Sequence, residues 1–201
     1  MRNRDASLKV AIFNLQKSNS RLLKRIKELE EQTSTDCLTG LNNRRNMEKI
    51  ITREISRARR NGGKLSILLL DFDHFKCVND RYGHLVGDSA LQELAKLILR
   101  EIRNIDIAFR YGGEEFLIVF PDTNAIEAKT IAERLRKSTE KHAFAGAGEN
   151  FNCTISGGIA EIILPDESQK SLIDRADKAL YQSKQYGRNM IAIAIGRLAC
   201  I

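Results

Sequence analysis

The sequence Arg110-Tyr111-Gly112-Gly113-Glu114-Glu115-Phe116 places two adjacent glycines directly before two carboxylates, and β-type runs flank it at 106–109 and 117–120. Two such runs joined by a glycine pair predict a β-hairpin, because Gly-Gly tolerates the positive φ angles of a tight turn. A tip without side chains lets a ligand approach the backbone. Two acids beside that tip can hold a hard cation such as Mg²⁺. The alternative is an ordinary surface turn followed by solvated acids.

Length and composition indicate a globular chain. Its 201 residues fit one domain plus an extension, and 42% hydrophobic residues are enough for a core. No window approaches the ~20 apolar residues of a membrane span, and the N-terminus is no secretory signal. We therefore expect a cytoplasmic protein with no membrane segment in this chain. The cysteines form no CxxC pair, which argues against a zinc site and a disulfide framework: Cys37, Cys77, Cys153 and Cys200.

The net charge of +7 suggests either a polyanionic partner or only a solvated, lysine-rich surface. Nucleic acid, a membrane surface and nucleotide phosphates are the partners that such a charge could serve. The sequence shows no surface of interleaved aromatic and basic residues of the kind that binds nucleic acid. A nucleic-acid-binding coiled coil is therefore the weaker alternative, and we expect no nucleic acid partner.

Residues 1–33 differ from the rest because apolar positions recur alternately every four and three residues. This heptad spacing predicts a coiled coil, and isoleucine at a with leucine at d favours two parallel strands. An asparagine at an a position fixes register and dimer state, and Arg25 and Glu30 at g and e can pair between helices. The alternative is one amphipathic helix packed on its own domain. The seam is Leu8, Ile12, Leu15, Asn19, Leu22, Ile26 and Leu29.

Residues 34–201 alternate between helical and strand-like periodicity and are predicted to form one domain. The predicted order is α-β-α-β-β-α-β-α-β, which is typical of a mixed central sheet covered by helices, in the α/β (α+β) class. Helices are predicted over 44–60, 87–103, 124–141 and 171–185. Besides the hairpin, strands are predicted over 65–70, 151–163 and 189–195, and Gly157-Gly158 marks a bend or a close backbone approach.

Asp71 follows directly on the apolar run 65–70, which reads as a buried strand. A buried aspartate is costly unless it is paired or bound to metal. Asp73 lies on the same face if the strand continues, since side chains alternate with period two. Asp71 and the hairpin acids therefore predict a metal site, with a turn or helix cap by Asp71 as the alternative.

The segment 75–88 is dense in polar groups that could read a nucleotide. An asparagine amide can donate and accept at a purine edge, and a carboxylate suits the N–H donors of guanine. Lys76 could neutralise phosphate charge. Lys184 and Arg188 lie four residues apart near a helix end and could reach phosphate oxygens, although they could instead cap the last helical carbonyls.

Five motifs in order now make the chain resemble the GGDEF family of diguanylate cyclases, over about residues 34 to 195. The hairpin motif has the form Gly-Gly-Glu-Glu-Phe, and the other matching segments are 36–45, 71–80, 156–160 and 181–189. The resemblance implies a fold related to nucleotidyl cyclases. It also implies that two GTP condense to cyclic di-GMP and two pyrophosphates, with one GTP held by each domain of a dimer.

The resemblance implies a role for each matched position. The metal would be Mg²⁺, with Mn²⁺ as the alternative, and its ligands would be Asp71, the carbonyl of Phe72, Glu114 and, in support, Glu115. Glu114 would deprotonate the attacking hydroxyl, and Lys76 would stabilise transition-state charge. The substrate-binding positions would be the guanine readers, the glycine tip and the phosphate holders: Asn79, His84, Asp88, Gly112, Gly113, Lys184 and Arg188.

The resemblance also implies a product-binding inhibitory site. Arg103 and Asp106 form an RxxD just before the hairpin, and Arg134 falls where the family often adds a second arginine. A local salt bridge is the alternative for the RxxD. Asp88 is an acid, whereas relatives that make mixed purine dinucleotides carry a small polar residue there, so guanine is expected on both sides.

The partners implied are GTP, cyclic di-GMP, a second copy of this chain joined through residues 1–33, and a regulatory protein on that stalk. A catalytically silent domain that senses GTP or cyclic di-GMP is the rival function. Such domains usually lose the signature acids, and here both acids are present.

Overall fold

The computed structural model describes residues 12, 15–19, 21–22, 34–146, 148–163 and 165–194. Internal contacts divide the chain into two compact units, Met1–Ser34 and Thr35–Ile201, which are described separately. Among the described residues, no helix combines the length and the apolar character that crossing a membrane requires.

In the first unit, residues 12, 15–19 and 21–22 are helical. Three apolar positions of the predicted seam are exposed in the single chain, Ile12 at 47%, Leu15 at 69% and Leu22 at 60%. Leu8, Ile26 and Leu29, with the predicted pair Arg25 and Glu30, lie outside the described residues. The coiled coil therefore stays a prediction.

The second unit contains five helices and eight strands within its described residues. The helices are α1 (Arg44–Asn61), α2 (Phe75–Tyr82), α3 (His84–Glu101), α4 (Ala125–Lys141) and α5 (Gln169–Gln185). The strands are β1 (Asn42–Asn43), β2 (Leu65–Phe72), β3 (Ile107–Arg110), β4 (Glu115–Pro121), β5 (Phe144–Ala145), β6 (Asn150–Phe151), β7 (Ile155–Glu161) and β8 (Ile191–Ile193).

Six of these strands form one mixed sheet in the order β1-β3-β4-β2-β7-β8, and β5 pairs only with β6. The fully buried β2 runs antiparallel to both of its neighbours, β4 and β7. The outer pairs β1–β3 and β7–β8 are parallel. The prediction of a mixed central sheet with helices is confirmed.

Two apolar cores cover the two faces of the sheet, and β2 contributes alternate residues to each. Leu68, Leu70 and Phe72 pack in the core that α3 and α4 cover. Ile67 and Leu69 pack in the core that α1 and α5 cover. This alternation follows the period of two of a strand whose faces are both buried.

Two predicted boundaries were wrong. The helix predicted to begin at Gly87 begins at His84, after Gly83 turns the chain at φ 85°. The strand predicted over 151–163 is divided: Asn150–Phe151 pairs with Phe144–Ala145, and the sheet strand is Ile155–Glu161. Apolar alternation alone did not reveal which neighbour each half would pair with.

The sequence prediction also lacked α2, which covers the polar segment after Asp71. Phe75 and Val78 are buried one helical turn apart, and Tyr82 packs against the same core. This spacing is helical, but a helix of 8 residues with few apolar positions gives a weak periodic signal. The short strands β1, β5 and β6 were not predicted either.

Gly158 explains how closely α5 approaches the sheet. A Cβ atom at this position of β7 would lie 2.1 Å from the carbonyl oxygen of Ala176 and 2.2 Å from the amide nitrogen of Leu180. Both are backbone atoms of the helix, so no side-chain rotation can make room. The close backbone approach predicted for the Gly157-Gly158 pair is confirmed.

We therefore expect Gly158→Ala to destabilise the domain by about 1–3 kcal/mol, since the added methyl must push helix and strand apart. The measurement is equilibrium urea unfolding. Gly113→Ala is the matched control, because nothing lies within 4 Å of its Cβ position, and it should stay within about 0.5 kcal/mol of wild type. Equal unfolding midpoints for the two variants would contradict this account of Gly158.

Candidate active site

The register of β2 brings the predicted acids together at one end of the sheet. Asp71 pairs across the ladder with Glu115 of β4 on one side and with Ser156 of β7 on the other. The amide of Phe72 donates to the carbonyl of Glu114 at 3.3 Å. Asp71 and the hairpin acids, more than 40 residues apart in sequence, are therefore adjacent because β2 and β4 pair.

Asp71 forms an ion pair with Lys184, whose Nζ lies 2.9 Å from Asp71 Oδ2. The Asp71 side chain is only 9% exposed. Burial raises the pKa of Asp71 above its ordinary value, and the bond and charge of Lys184 oppose that rise. Lys184 therefore pairs with Asp71 rather than capping its own helix, and its predicted contact with phosphate stays a prediction.

Glu114 and Glu115 share this environment. Burial raises the pKa of Glu114, and the negative charge of Asp71 raises it further. The same two causes, in the same order, raise the pKa of Glu115. Three carboxylates near one lysine thus form a site with more negative than positive charge, which suits a cation or a cationic complex.

The hairpin is confirmed, but its predicted turn geometry was wrong. Residues 111–114 connect β3 to β4, and neither Gly112 nor Gly113 lies among the glycines with positive φ. A Cβ at Gly112 would lie 2.5 Å from Glu115 Oε2, so a side chain there would displace that carboxylate from its present position. Gly113 is open on its Cβ side, so the tip offers accessible backbone.

Arg110 anchors the tip of the hairpin and was not predicted as a site residue. Its guanidinium donates to the carbonyl of Gly113 at 2.8 Å and to both carboxylate oxygens of Asp36 at 3.1 and 3.2 Å. Asp36 in turn accepts from the amide and hydroxyl of Thr39. Both residues open motifs noted in the sequence, but nothing local indicates that positions 74 apart pair.

The predicted guanine-reading residues lie on α2 and α3, which meet at Gly87. A Cβ on Gly87 would lie 2.0 Å from Asn79 Oδ1, so the glycine makes room for the Asn79 amide. His84 and Asp88 lie in the first turns of α3, and both are exposed. The two helices therefore present polar groups around a junction that is open to solvent.

Two cations predicted to meet phosphate are exposed. Lys76 lies in the first turn of α2. Arg188 follows α5 at a left-handed φ of 63°, and its charge acts to lower the pKa of Asp71. Arg188 is thus close enough to the acids to influence them.

Asp73 does not share the metal-facing position that a continued strand would have given it, because β2 ends at Phe72. Its carboxylate accepts from Thr154 Oγ1 and Ser156 Oγ, each at 2.7 Å, and from the amide of Asn189 at 3.1 Å. With 3% of its surface exposed, Asp73 joins the ends of β2 and β7 to the chain after α5.

Arg103 and Asp106 form the local salt bridge that was the alternative interpretation. Arg103 Nη2 lies 2.6 Å from Asp106 Oδ1 and also donates to Thr123 Oγ1, and the Asp106 side chain is fully buried. Arg134 lies on α4 and pairs with Glu101 at 2.8 Å. Arg103 keeps 46% of its side chain exposed, so it remains accessible to a ligand.

The donor set suits a metal that is completed by its ligand. No group of three or more His, Cys, Asp or Glu side chains within the described ranges is arranged to hold an ion. Mg²⁺ is usually bound by one or two carboxylates together with substrate phosphates and water, rather than by an all-protein cage. Asp71, Glu114 and the carbonyl of Phe72 fit that description.

The comparisons with known proteins agree on one family. The family model described as "Diguanylate cyclase, GGDEF domain" matches residues 33–190. Diguanylate cyclase A of Treponema denticola is 42% identical over 174 residues, which cover 85% of this chain and 47% of that protein. This chain spans less than half the length of the curated relatives that it matches.

Solved structures share the fold. The coiled coil and GGDEF domain of DgcB from Caulobacter crescentus, in complex with c-di-GMP, aligns with a TM-score of 0.77 and 33% identity, covering 94% of this chain and 100% of that one. Diguanylate cyclase SiaD in complex with its activator SiaC, from Pseudomonas aeruginosa, aligns with a TM-score of 0.78 and 33% identity, covering 96% and 75%.

The Gly-Gly-Glu-Glu-Phe motif at the hairpin, the Asp71 carboxylate that β2 holds beside it, and a family match that covers most of the chain lead to the same conclusion. Members of this family use a divalent metal. The chain belongs to the GGDEF-domain diguanylate cyclase family.

Proposed function

We propose that this chain condenses two GTP into cyclic di-GMP and two pyrophosphates. The observation that carries the proposal is the cluster of Asp71, Glu114 and Glu115 beside Lys184, in a chain whose relatives are named diguanylate cyclases. In each half-reaction the 3′-hydroxyl of one GTP attacks the α-phosphorus of the other. A new P–O bond forms, the bond to the β-phosphate breaks, and pyrophosphate leaves.

Asp71, Glu114 and the carbonyl of Phe72 would hold Mg²⁺, or Mn²⁺ in its place, with Glu115 in support. The bound ion neutralises phosphate charge, which is the main demand of phosphoryl transfer. Lys184 is already paired with Asp71. In the complex, Lys184 and Arg188 would bind phosphate oxygens, and Lys76 would stabilise the negative charge that develops in the transition state.

Glu114 would accept the proton of the attacking hydroxyl. Its pKa is raised by burial and by Asp71, and a carboxyl with a raised pKa is a better proton acceptor than an ordinary one. The exposed tip at Gly113 would let the nucleotide approach the backbone next to this carboxylate.

Guanine would be read between α2 and α3. The carboxylate of Asp88 can accept from N1 and N2 of guanine, and the Asn79 amide can donate to an acceptor on the ring, with His84 lining the junction. Adenine has no donor at N1, so Asp88 would be left without a partner against it, which favours GTP over ATP.

One domain supplies one GTP, so the reaction needs a second copy of the chain. Residues 1–33 would join two copies as a parallel coiled coil and raise the effective concentration of the catalytic domains, residues 34–201. A regulatory protein could act on that stalk, as the activator complex of SiaD illustrates for another member. GTP is a cytoplasmic metabolite, so the reaction places the domain in the cytoplasm.

Cyclic di-GMP would inhibit the enzyme by binding Arg103, Asp106 and Arg134. The planar guanidinium of Arg103 can bind a phosphodiester through two parallel hydrogen bonds. To do so it must give up part of its contact with Asp106 or Thr123.

The first test incubates the full chain with GTP and Mg²⁺ and detects cyclic di-GMP by mass spectrometry. Glu114→Ala is expected to lower the turnover rate by at least about 100-fold, because it removes both a metal ligand and the base. Asp166→Ala removes an exposed acid outside the site and should leave the rate unchanged. A folded wild-type dimer that binds GTP but makes no product would favour the silent-sensor alternative.

Arg103→Ala should raise the inhibition constant of added cyclic di-GMP by about tenfold or more, since a charge-assisted contact to phosphate is lost. The uninhibited rate should stay within about twofold, because Arg103 lies outside the acid cluster. Lys96→Ala removes an exposed charge from α3 and serves as the control. Asp106 is a poor target, since its fully buried carboxylate holds the turn. Unchanged inhibition in Arg103→Ala would refute this site.

Replacing both Leu15 and Leu22 by glutamate should abolish the coiled coil, because both occupy the predicted d positions. Specific activity should then fall most at low protein concentration and recover partly as concentration rises. Sedimentation velocity gives the mass at each concentration. If the variant is monomeric and its specific activity is unchanged at every concentration, the stalk does not assemble the catalytic centre.

A further inference from the structure

The turn that follows α5 has an unusual backbone. Gly187, Arg188 and Asn189 have φ values of 112°, 63° and 48°, three consecutive residues in the left-handed half of conformational space. Non-glycine residues adopt such angles at a cost, although asparagine tolerates them better than most. A turn of this kind persists only when surrounding contacts hold it.

Asn189 supplies those contacts through its backbone amide and both polar atoms of its side chain. Its amide nitrogen donates to Asp73 Oδ2 at 3.1 Å. Its side-chain Nδ2 donates to Glu140 Oε1 at 2.7 Å, and its Oδ1 accepts from Arg136 Nη1 at 2.7 Å. The turn is thus tied to the end of β2 on one side and to α4 on the other.

Arg136 is itself held in place. Its side chain is 13% exposed, and it donates to Glu133 at 2.9 Å and to Glu140 at 3.2 Å along α4. Burial opposes the charge of the guanidinium, but the bonds and charges of Glu133 and Glu140 outweigh burial and raise the pKa of Arg136. The hydrogen bond from Asn189 lowers the pKa of Glu140.

Arg188 occupies the centre of this turn. Its amide donates to the carbonyl of Ser183 at 3.0 Å, while its side chain is exposed. The charge of Arg188 acts to lower the pKa of Asp71, so the guanidinium lies within electrostatic range of the acids where the triphosphate is proposed to lie. The direction in which Arg188 points depends on a backbone that Asn189 fixes.

We propose that Arg136 and Glu140 are positioning residues of the nucleotide site: through Asn189 they hold the left-handed turn that presents Arg188 to the phosphates of GTP. They touch neither the acids nor the proposed nucleotide, and they act only through the turn. This inference rests on the proposed function, because it assumes that Arg188 meets phosphate there.

A double-mutant cycle on nucleotide binding separates this role from a merely structural one. The probes are α,β-methylene-GTP with Mg²⁺, which cannot react, and guanosine, which lacks phosphates, both titrated into the full chain by calorimetry. Arg136→Met should weaken binding of the GTP analogue by about tenfold, since one charge-assisted phosphate contact is lost. Guanosine affinity should stay within about twofold.

The decisive arm repeats Arg136→Met in an Arg188→Ala background, where no further loss is expected because the group being positioned is absent. Glu140→Gln keeps an oxygen acceptor for Asn189 and should bind the analogue within about twofold of wild type. Lys137→Ala, an exposed charge on the same helix, should have no effect. Asn189→Gly keeps the left-handed angle without the side-chain bonds, should also weaken binding of the analogue by about tenfold, and tests the proposal if Arg136→Met does not fold.

The inference is overturned if Arg136→Met weakens the analogue and guanosine equally, or if it causes a further loss in the Arg188→Ala background. Analogue binding that falls in Arg188→Ala but is unaffected in both Arg136→Met and Asn189→Gly also overturns it and leaves the proposed function intact. If the wild-type chain does not bind the analogue at all, the proposed function fails, and this inference fails with it.

Discussion

The pairing of β2 with two antiparallel neighbours is the constraint on which the site depends. Because every residue of Leu65–Phe72 is buried and both edges of the strand are paired, Asp71 cannot shift along the sheet or rotate to the opposite face. A slip by one residue would bury its charge in an apolar core and expose Leu70 in its place. The apolar residues of β2 thus fix the position of the Asp71 carboxylate on a rigid central strand. The pairing of β4 with β2 places Glu115 opposite it.

This placement has an electrostatic cost for the free protein. Asp71, Glu114 and Glu115 all have folded-state pKa values above their ordinary ones, mainly because of burial. Protons therefore bind these groups more tightly in the folded than in the unfolded chain, so each lowers stability as the pH rises from the unfolded pKa through the folded one. The pKa of a carboxylate elsewhere shifts in the opposite direction. At Asp36, hydrogen bonds from Thr39 and the charge and bonds of Arg110 outweigh burial and lower the pKa. The acid cluster is thus arranged for a charged ligand rather than for stability.

Sequence reasoning succeeded where the signal was local. The strand before Asp71, the hairpin around Gly112 and the helices with clear periodicity follow from apolar spacing, and the motif acids follow from their order along the chain. It failed where the reason is a contact between distant residues. Gly112 leaves space for the Glu115 carboxylate and has no positive φ, and Arg110 anchors the tip through Asp36. Helix α2 was missed because only Phe75 and Val78 are fully buried in it, too few to make its periodicity visible.

The distribution of the site between rigid and exposed groups also bears on how catalysis is assembled. Asp71 comes from the buried central strand and the two glutamates beside it are partly buried, whereas Lys76, His84, Asp88 and Arg188 are exposed. A site enclosed by one domain would bury both sets, because excluding water strengthens charge stabilisation. Here the acids are fixed within the domain and the groups proposed to contact nucleotide remain open to solvent. Under the proposed function, closure over the reacting phosphates would come from outside the domain, through a facing copy of the same surface that carries its own GTP.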